Sequence, residues 1–86
     1  MYTLLRDYRN CLLGRGFSVS PVVTDVYLYG MGWHIDITFK EKVATVLYVN
    51  HRWYVYKNDT PEFYPTFNLA KTACNLYLDT WGLTKK

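Results

Sequence analysis

Residues 32–56 read GWHIDITFKEKVATVLYVNHRWYVY. Apolar and polar side chains alternate through most of this stretch, which is the period of a strand with two unlike faces. Trp33, Ile35, Ile37 and Phe39 alternate with His34, Asp36 and Thr38. Lys40-Glu41-Lys42 interrupts the run, and Asn50-His51 interrupts the next, with asparagine suited to a positive φ. Upstream, Val26 and Leu28 alternate with Tyr27 and Tyr29, and Gly30-Met31-Gly32 supplies a permissive turn.

A consistent pairing follows if Tyr29 faces His34, Phe39 faces Ala44 and Tyr48 faces Trp53. Val26, Leu28, Trp33, Ile35, Ile37, Phe39, Ala44, Val46, Tyr48, Trp53 and Val55 then share one face, which carries no charge. The opposite face collects Tyr27, Tyr29, His34, Asp36, Thr38, Thr45, Leu47, Val49, Arg52, Tyr54 and Tyr56. This sorting predicts a four-stranded antiparallel meander. It also raises a question, because the second face is itself rich in rings and aliphatics.

Outside the meander the period changes. Leu4, Leu5, Tyr8, Cys11 and Leu12 recur at three- and four-residue spacing, predicting a helix over residues 3–13 that Gly14 and Gly16 end. Phe17 then opens an extended segment through Ser20-Pro21. Asn58 to Pro65, with two prolines and ionised residues, reads as a loop. A second helix is expected from Thr66 or Phe67 to Trp81, with Thr66 as N-cap and Gly82 as stop. Its two apolar stripes, one of them holding Leu69 and Leu76, predict a helix that is mostly covered. The fold class expected is therefore α+β, in the order helix, four-stranded meander, helix (α-β-β-β-β-α), as a single domain over 1–86.

Composition bounds the function. Of the 86 residues half are apolar and 19% aromatic, well above the level at which chains stay disordered. Cys11 and Cys74 form no CxxC pair, so both are expected as small core hydrophobes and neither a metal site nor a disulfide framework is signalled. No cofactor is implied. Arg6, Asp7 and Arg9 stand where a signal peptide needs its apolar run, and no segment approaches a membrane span, which predicts a cytoplasmic protein that does not engage membrane. The net charge is +3, with basic residues gathered in the first helix, the middle of the sheet and the C-terminal tail.

Three uses of the second face compete: cover by the first helix, self-association, or reception of a partner, and a homodimer formed through the apolar second helix or this open face is expected. Tyr27, Tyr29, Tyr54 and Tyr56 beside Arg52, Lys40, Lys42 and Lys57 fit loosely the platforms on which rings stack on bases while cations follow phosphates. His34 and Asp36, two apart on one strand, would suit general acid and base work with Arg52 near a developing anion. No nucleophile motif or phosphate loop accompanies them, so the chain reads as a binder and not an enzyme.

Resemblances add to this reading. The order helix, meander, helix resembles the double-stranded-RNA-binding domain, and NLAKTACNLYL resembles that family's last helix, which would set Lys71 toward a phosphate. RWYVYKNDTPEFYPTFNLAKTACNLYL is similar to the ending of the sheet-type DNA-binding domains of phage integrases. The compact, tyrosine-rich profile as a whole resembles small phage-encoded anti-defence and host-takeover proteins: toxin inhibitors of the TifA type, anti-restriction and anti-CRISPR proteins. That resemblance implies stoichiometric antagonism of a host protein or ribonucleoprotein in the host cytoplasm. The gripping surface expected is Tyr27, Tyr29, His34, Arg52, Tyr54 and Tyr56, with Lys40, Lys42 and Lys57 and the helix edge at Arg6 and Arg9. The alternative expectation is a general RNA- or DNA-binding module using the same face.

Overall fold

The computed structural model describes residues 2–27 and 30–82, those at 25 and 27 by their backbone alone. Helix α1 (Tyr2–Gly14) leads into strands β1 (Ser18–Val19), β2 (Val23–Tyr27), β3 (Gly30–Phe39), β4 (Lys42–Val49), β5 (Arg52–Lys57) and β6 (Thr60–Tyr64), and helix α2 (Phe67–Asp79) follows. The class is α+β with an entirely antiparallel sheet ordered β1-β3-β4-β5-β6, in which β2 also pairs with β3. Among the described residues, six strands stand where four were expected from sequence.

The first added strand is β6, where a loop was expected. Asn58 and Asp59 both take positive φ, 59° and 72°, and close a two-residue hairpin on Lys57 and Thr60. Hydrogen-bonded and open pairs alternate from that closing pair, so Pro61 falls where the backbone nitrogen points away from β5. A proline there costs no ladder bond, and it strips a donor from the free edge. The second addition is β1. Ser18 and Val19 pair with Thr38 and Ile37, but Val23 pairs with His34, so residues 20–22 oppose only two of β3. This bulge at Ser20-Pro21-Val22 lets Val19 and Val22 both point to the core, three positions apart.

Registers differ from expectation in two hairpins. Phe39 pairs with Lys42 and not with Ala44, because Lys40, at φ 58°, and Glu41 alone make the turn. Tyr27 pairs with Gly30 and His34 with Val23, so Gly30–Gly32 are strand; the expected partner Tyr29, like Leu28, lies outside the described residues. The third pairing, Tyr48 with Trp53, is as expected, around Asn50-His51 with both φ positive. Both slips are even-numbered, so the division into two faces survives them. Gly32 lies close against β4: a Cβ there would overlap the Tyr48 carbonyl oxygen and crowd Val49.

Both helices lie on one face. Leu5, Tyr8 and Leu12 from α1 and Ala70, Cys74, Leu78 and the following Trp81 join Ile35, Ile37, Ala44, Val46, Tyr48, Trp53 and Val55 in one core. Trp53 sits with its ring centroid 4.8 Å from both Tyr48 and Phe67, tying β4, β5 and α2 together. Tyr8 packs edge-on against Phe67 and donates a 2.6 Å hydrogen bond to Asn75 Oδ1, while Arg15 Nη2 meets Asp79 Oδ1 at 3.0 Å. Helix α2 is capped by Thr66, whose hydroxyl accepts from the Leu69 N–H at 3.2 Å.

Three burial expectations need correction. Cys11 is exposed, because the sheet-facing stripe of α1 is narrower than the periodicity allows and holds only Leu5, Tyr8 and Leu12. Helix α2 is covered along one stripe only, leaving Leu69 and Leu76 half or more exposed. Val26 is exposed although its parity is that of the core face. Its partner Met31 lies one residue beyond Gly32, which pairs with Val49 at the end of β4, so this end of the β2–β3 hairpin extends past the β3–β4 ladder. Among the described residues no helix is long and apolar enough to cross a membrane.

Candidate functional site

With both helices on one side, no helix among the described residues lies over the other face of the sheet. Register places its side chains in rows across the strands. Gly32, Val49 and Arg52 form one row. Val23, His34, Leu47, Tyr54 and Phe63 form the next, and Asp36, Thr45, Tyr56 and Pro61 the third. The centre of this face is nonetheless dry. Leu47 is only 6% exposed and Val49 only 1%. Longer neighbours shield them: Tyr54 lies 5.9 Å from Phe63 between ring centroids, and the Arg52 guanidinium lies 5.7 Å from the same Phe63 ring. Phe63 itself stays 52% exposed.

Beside this apolar centre is a shallow depression of about 180 Å³ lined by His34, Asp36, Thr45, Leu47 and Tyr56. The Asp36 carboxylate is held there. Thr45 Oγ1 donates to its Oδ1 at 2.7 Å, and His34 Nε2 lies 3.5 Å from its Oδ2. Its backbone is fixed as well. The Asp36 N–H donates to Ser20 Oγ at 3.0 Å, and its carbonyl accepts from the Ser20 N–H at 2.9 Å. The Ser20 carbonyl in turn accepts from Arg9 Nε at 2.8 Å, so the bulge links α1 to the floor of the depression.

The residues expected at the gripping surface are thus divided. His34, Arg52, Tyr54 and Tyr56 do share the uncovered face. Tyr27 stands opposite Gly30 in the ladder, its side chain outside what is described, and Tyr29 lies outside the described residues. Lys57 is on the helix side: it alternates with Tyr56, pairs with Ala44, meets Glu62 at 2.9 Å and lies 5.9 Å from the Tyr77 ring. Glu62 holds the Lys57 ammonium above its ordinary pKa, while Tyr64 and Lys57 pull the Glu62 carboxyl down. Lys42 pairs with Phe39 and shares the helix-side parity, and Lys40 sits in the turn with its ammonium 5.4 Å from the Phe39 ring. Arg6 is exposed on α1 beside Asp7, and Arg9 is engaged with Ser20, both across the sheet from the tyrosines.

Sequence reasoning did not include Phe63, Thr45 or Leu47 among the site residues. Phe63 belongs to the unexpected β6, and Thr45 meets Asp36 only in the observed register. Among the described residues no group of three or more His, Cys, Asp and Glu side chains is placed to hold a metal ion. The chain matches no protein-family model, and no characterised protein or solved structure matches it at a significant level.

Proposed function

We propose that this protein acts by stoichiometric, non-catalytic binding of another protein across the uncovered face of its sheet. The observation that carries this reading is the segregation of charge. The uncovered face offers rings and aliphatics around Leu47 with Arg52 at one end and Asp36 toward the other, whereas Lys42 and Lys57 lie on the helix side. A nucleic-acid platform needs cations alongside its rings to follow phosphates. A protein interface needs a dry aromatic centre, an arginine and a polar rim.

Two further features favour docking on the face over addition of a strand at an edge. Pro61 interrupts the free edge of β6, and the bulge at Ser20-Pro21-Val22 interrupts the opposite edge. The depression of about 180 Å³ is smaller than the roughly 300–1,000 Å³ that enclose small ligands, which argues against a substrate cavity. Occupying a host defence protein or ribonucleoprotein so that it cannot act, the mode implied by the resemblance to phage anti-defence proteins, requires nothing beyond such a face.

The test is affinity purification from a bacterial host with half the sample treated with nuclease. A protein retained in equal amount in both halves and at raised salt, and lost with Tyr54→Ala plus Phe63→Ala, is the expected result. Retention that vanishes with nuclease, or falls steeply with salt, would replace this reading with nucleic-acid binding. A homodimer seen by sedimentation, abolished by the same pair of substitutions and accompanied by no other protein, would assign the face to a second copy of the chain.

A further inference from the structure

The uncovered face has one feature that its apolar centre does not explain, a carboxylate positioned from several directions and left 44% exposed beside a hollow. Asp36 gains nothing for the core, since it faces away from it. Its Oδ1 takes the Thr45 hydroxyl, and its main chain is clamped on both sides of the residue by Ser20. A carboxylate has about four acceptor positions, so the Thr45 bond and the 3.5 Å approach of His34 leave capacity unused. The hollow next to it, about 180 Å³, corresponds to roughly six water volumes, the scale of one long side chain and not of a cofactor. Its lining combines that carboxylate with the Tyr56 ring and Leu47.

From this combination we infer that the depression at Asp36 is a socket for an arginine side chain of the protein partner. A guanidinium matches a carboxylate with two parallel hydrogen bonds, is weakly hydrated, and lies favourably against an aromatic ring, so both polar and apolar parts of the lining are used. An ammonium would use the charge but not the planar fork. The clamp on Asp36 means that little side-chain freedom is lost on binding, which is how a small contact becomes an anchor. This inference rests on reading the uncovered face as a protein-binding surface and names the chemistry that the partner must present there.

The socket can be tested without the partner. Backbone amide spectra of the full chain are recorded at pH 7.5 and low salt during titration with N-acetyl-arginine amide, and in parallel with the lysine and leucine amides. The expected result is saturable shifts at His34, Asp36, Thr45, Leu47 and Tyr56 with the arginine compound, in the millimolar range appropriate to a single side chain, on the order of 4 kcal/mol. The lysine compound should bind several-fold more weakly. Asp36→Asn should weaken arginine binding about tenfold or more while leaving spectral dispersion intact. Thr45→Val, which keeps the charge but frees the carboxylate, should weaken it a few-fold. Equal shifts with the leucine amide, no loss in Asp36→Asn, or no saturable shift at any soluble concentration would overturn the inference. Should Asp36→Asn unfold the chain, the arginine-against-leucine comparison on the unaltered protein still decides. Failure of the affinity purification leaves this titration unaffected, so the two readings fail separately.

Discussion

The two faces of this sheet are made by the same alternating strands, yet they bury their centres by different means. On the covered face Ile35, Ile37, Val46 and Val55 are sealed by two helices, and among the described residues the core has no buried polar or charged member. On the uncovered face Leu47 and Val49 are equally dry, shielded by Tyr54, Phe63 and Arg52, which themselves reach solvent. Helix cover commits a face to stability. Cover by long amphipathic side chains dries a face while leaving rings and a cation for a partner, and the prolines at both edges keep it from pairing strand to strand.

The largest expected contrast lies between paired truncations on the two faces. Ile35→Ala should leave a cavity that nothing can fill and cost about 3–4 kcal/mol, whereas Leu47→Ala should cost about half as much, because Tyr54 and water can close over it. Chemical denaturation of both variants measures this. Equal losses would show that the uncovered face is sealed as rigidly as the core.

Alkali should attack the covered face. Burial raises the Cys74 thiol to about 11 and pushes the Tyr8 phenol far above its ordinary range. In both cases the folded pKa is the higher one, so the unfolded chain releases its proton first. The stabilisation is complete below about pH 9 and is lost as pH rises toward 11 for Cys74, with Tyr8 adding to the loss above about pH 10, at roughly 1.4 kcal/mol per pH unit per group. Denaturation midpoints from pH 7 to 11 should fall along that course, and Tyr8→Phe should flatten the part above pH 10. A flat profile would place these groups in water.

A smaller effect is expected where the faces share backbone. Gly32→Ala should cost about 1–3 kcal/mol, because β3 must move away from the Tyr48 carbonyl. Calorimetry of this variant checks it, and an unchanged midpoint would mean that the strands can separate freely. Smallest of all is Phe63→Ala. With more than half its surface exposed it should cost under about 1 kcal/mol of stability while removing partner binding. A large loss of stability instead would mark Phe63 as structural.

Much of this architecture is legible in the chain because alternation survives even-numbered register errors. Trp33 through Val55 sort correctly although two of the three expected pairings are displaced, and Thr66 announces α2 by its cap. Strand β6 is hidden because a proline normally argues against a strand, and only its position on an edge with the nitrogen turned outward removes the objection. The socket is hidden for a different reason. With Phe39 opposite Ala44, Asp36 would face Leu47; the tighter Lys40-Glu41 turn puts Thr45 there instead. Lys57 shares the parity of Trp53 and Val55, so alternation assigns it to the helix side, whereas grouping basic residues by charge does not.

The most direct measurement of the division of labour between the faces is site-specific photocrosslinking in living bacterial cells. A benzophenone amino acid is placed at Phe63 on the uncovered face or at Leu69, an equally exposed apolar position on α2. A nuclease-resistant protein adduct from position 63, absent from position 69 and displaced by excess unlabelled protein, is the result expected here. Adducts confined to position 69, or adducts from position 63 that nuclease digests, would contradict it.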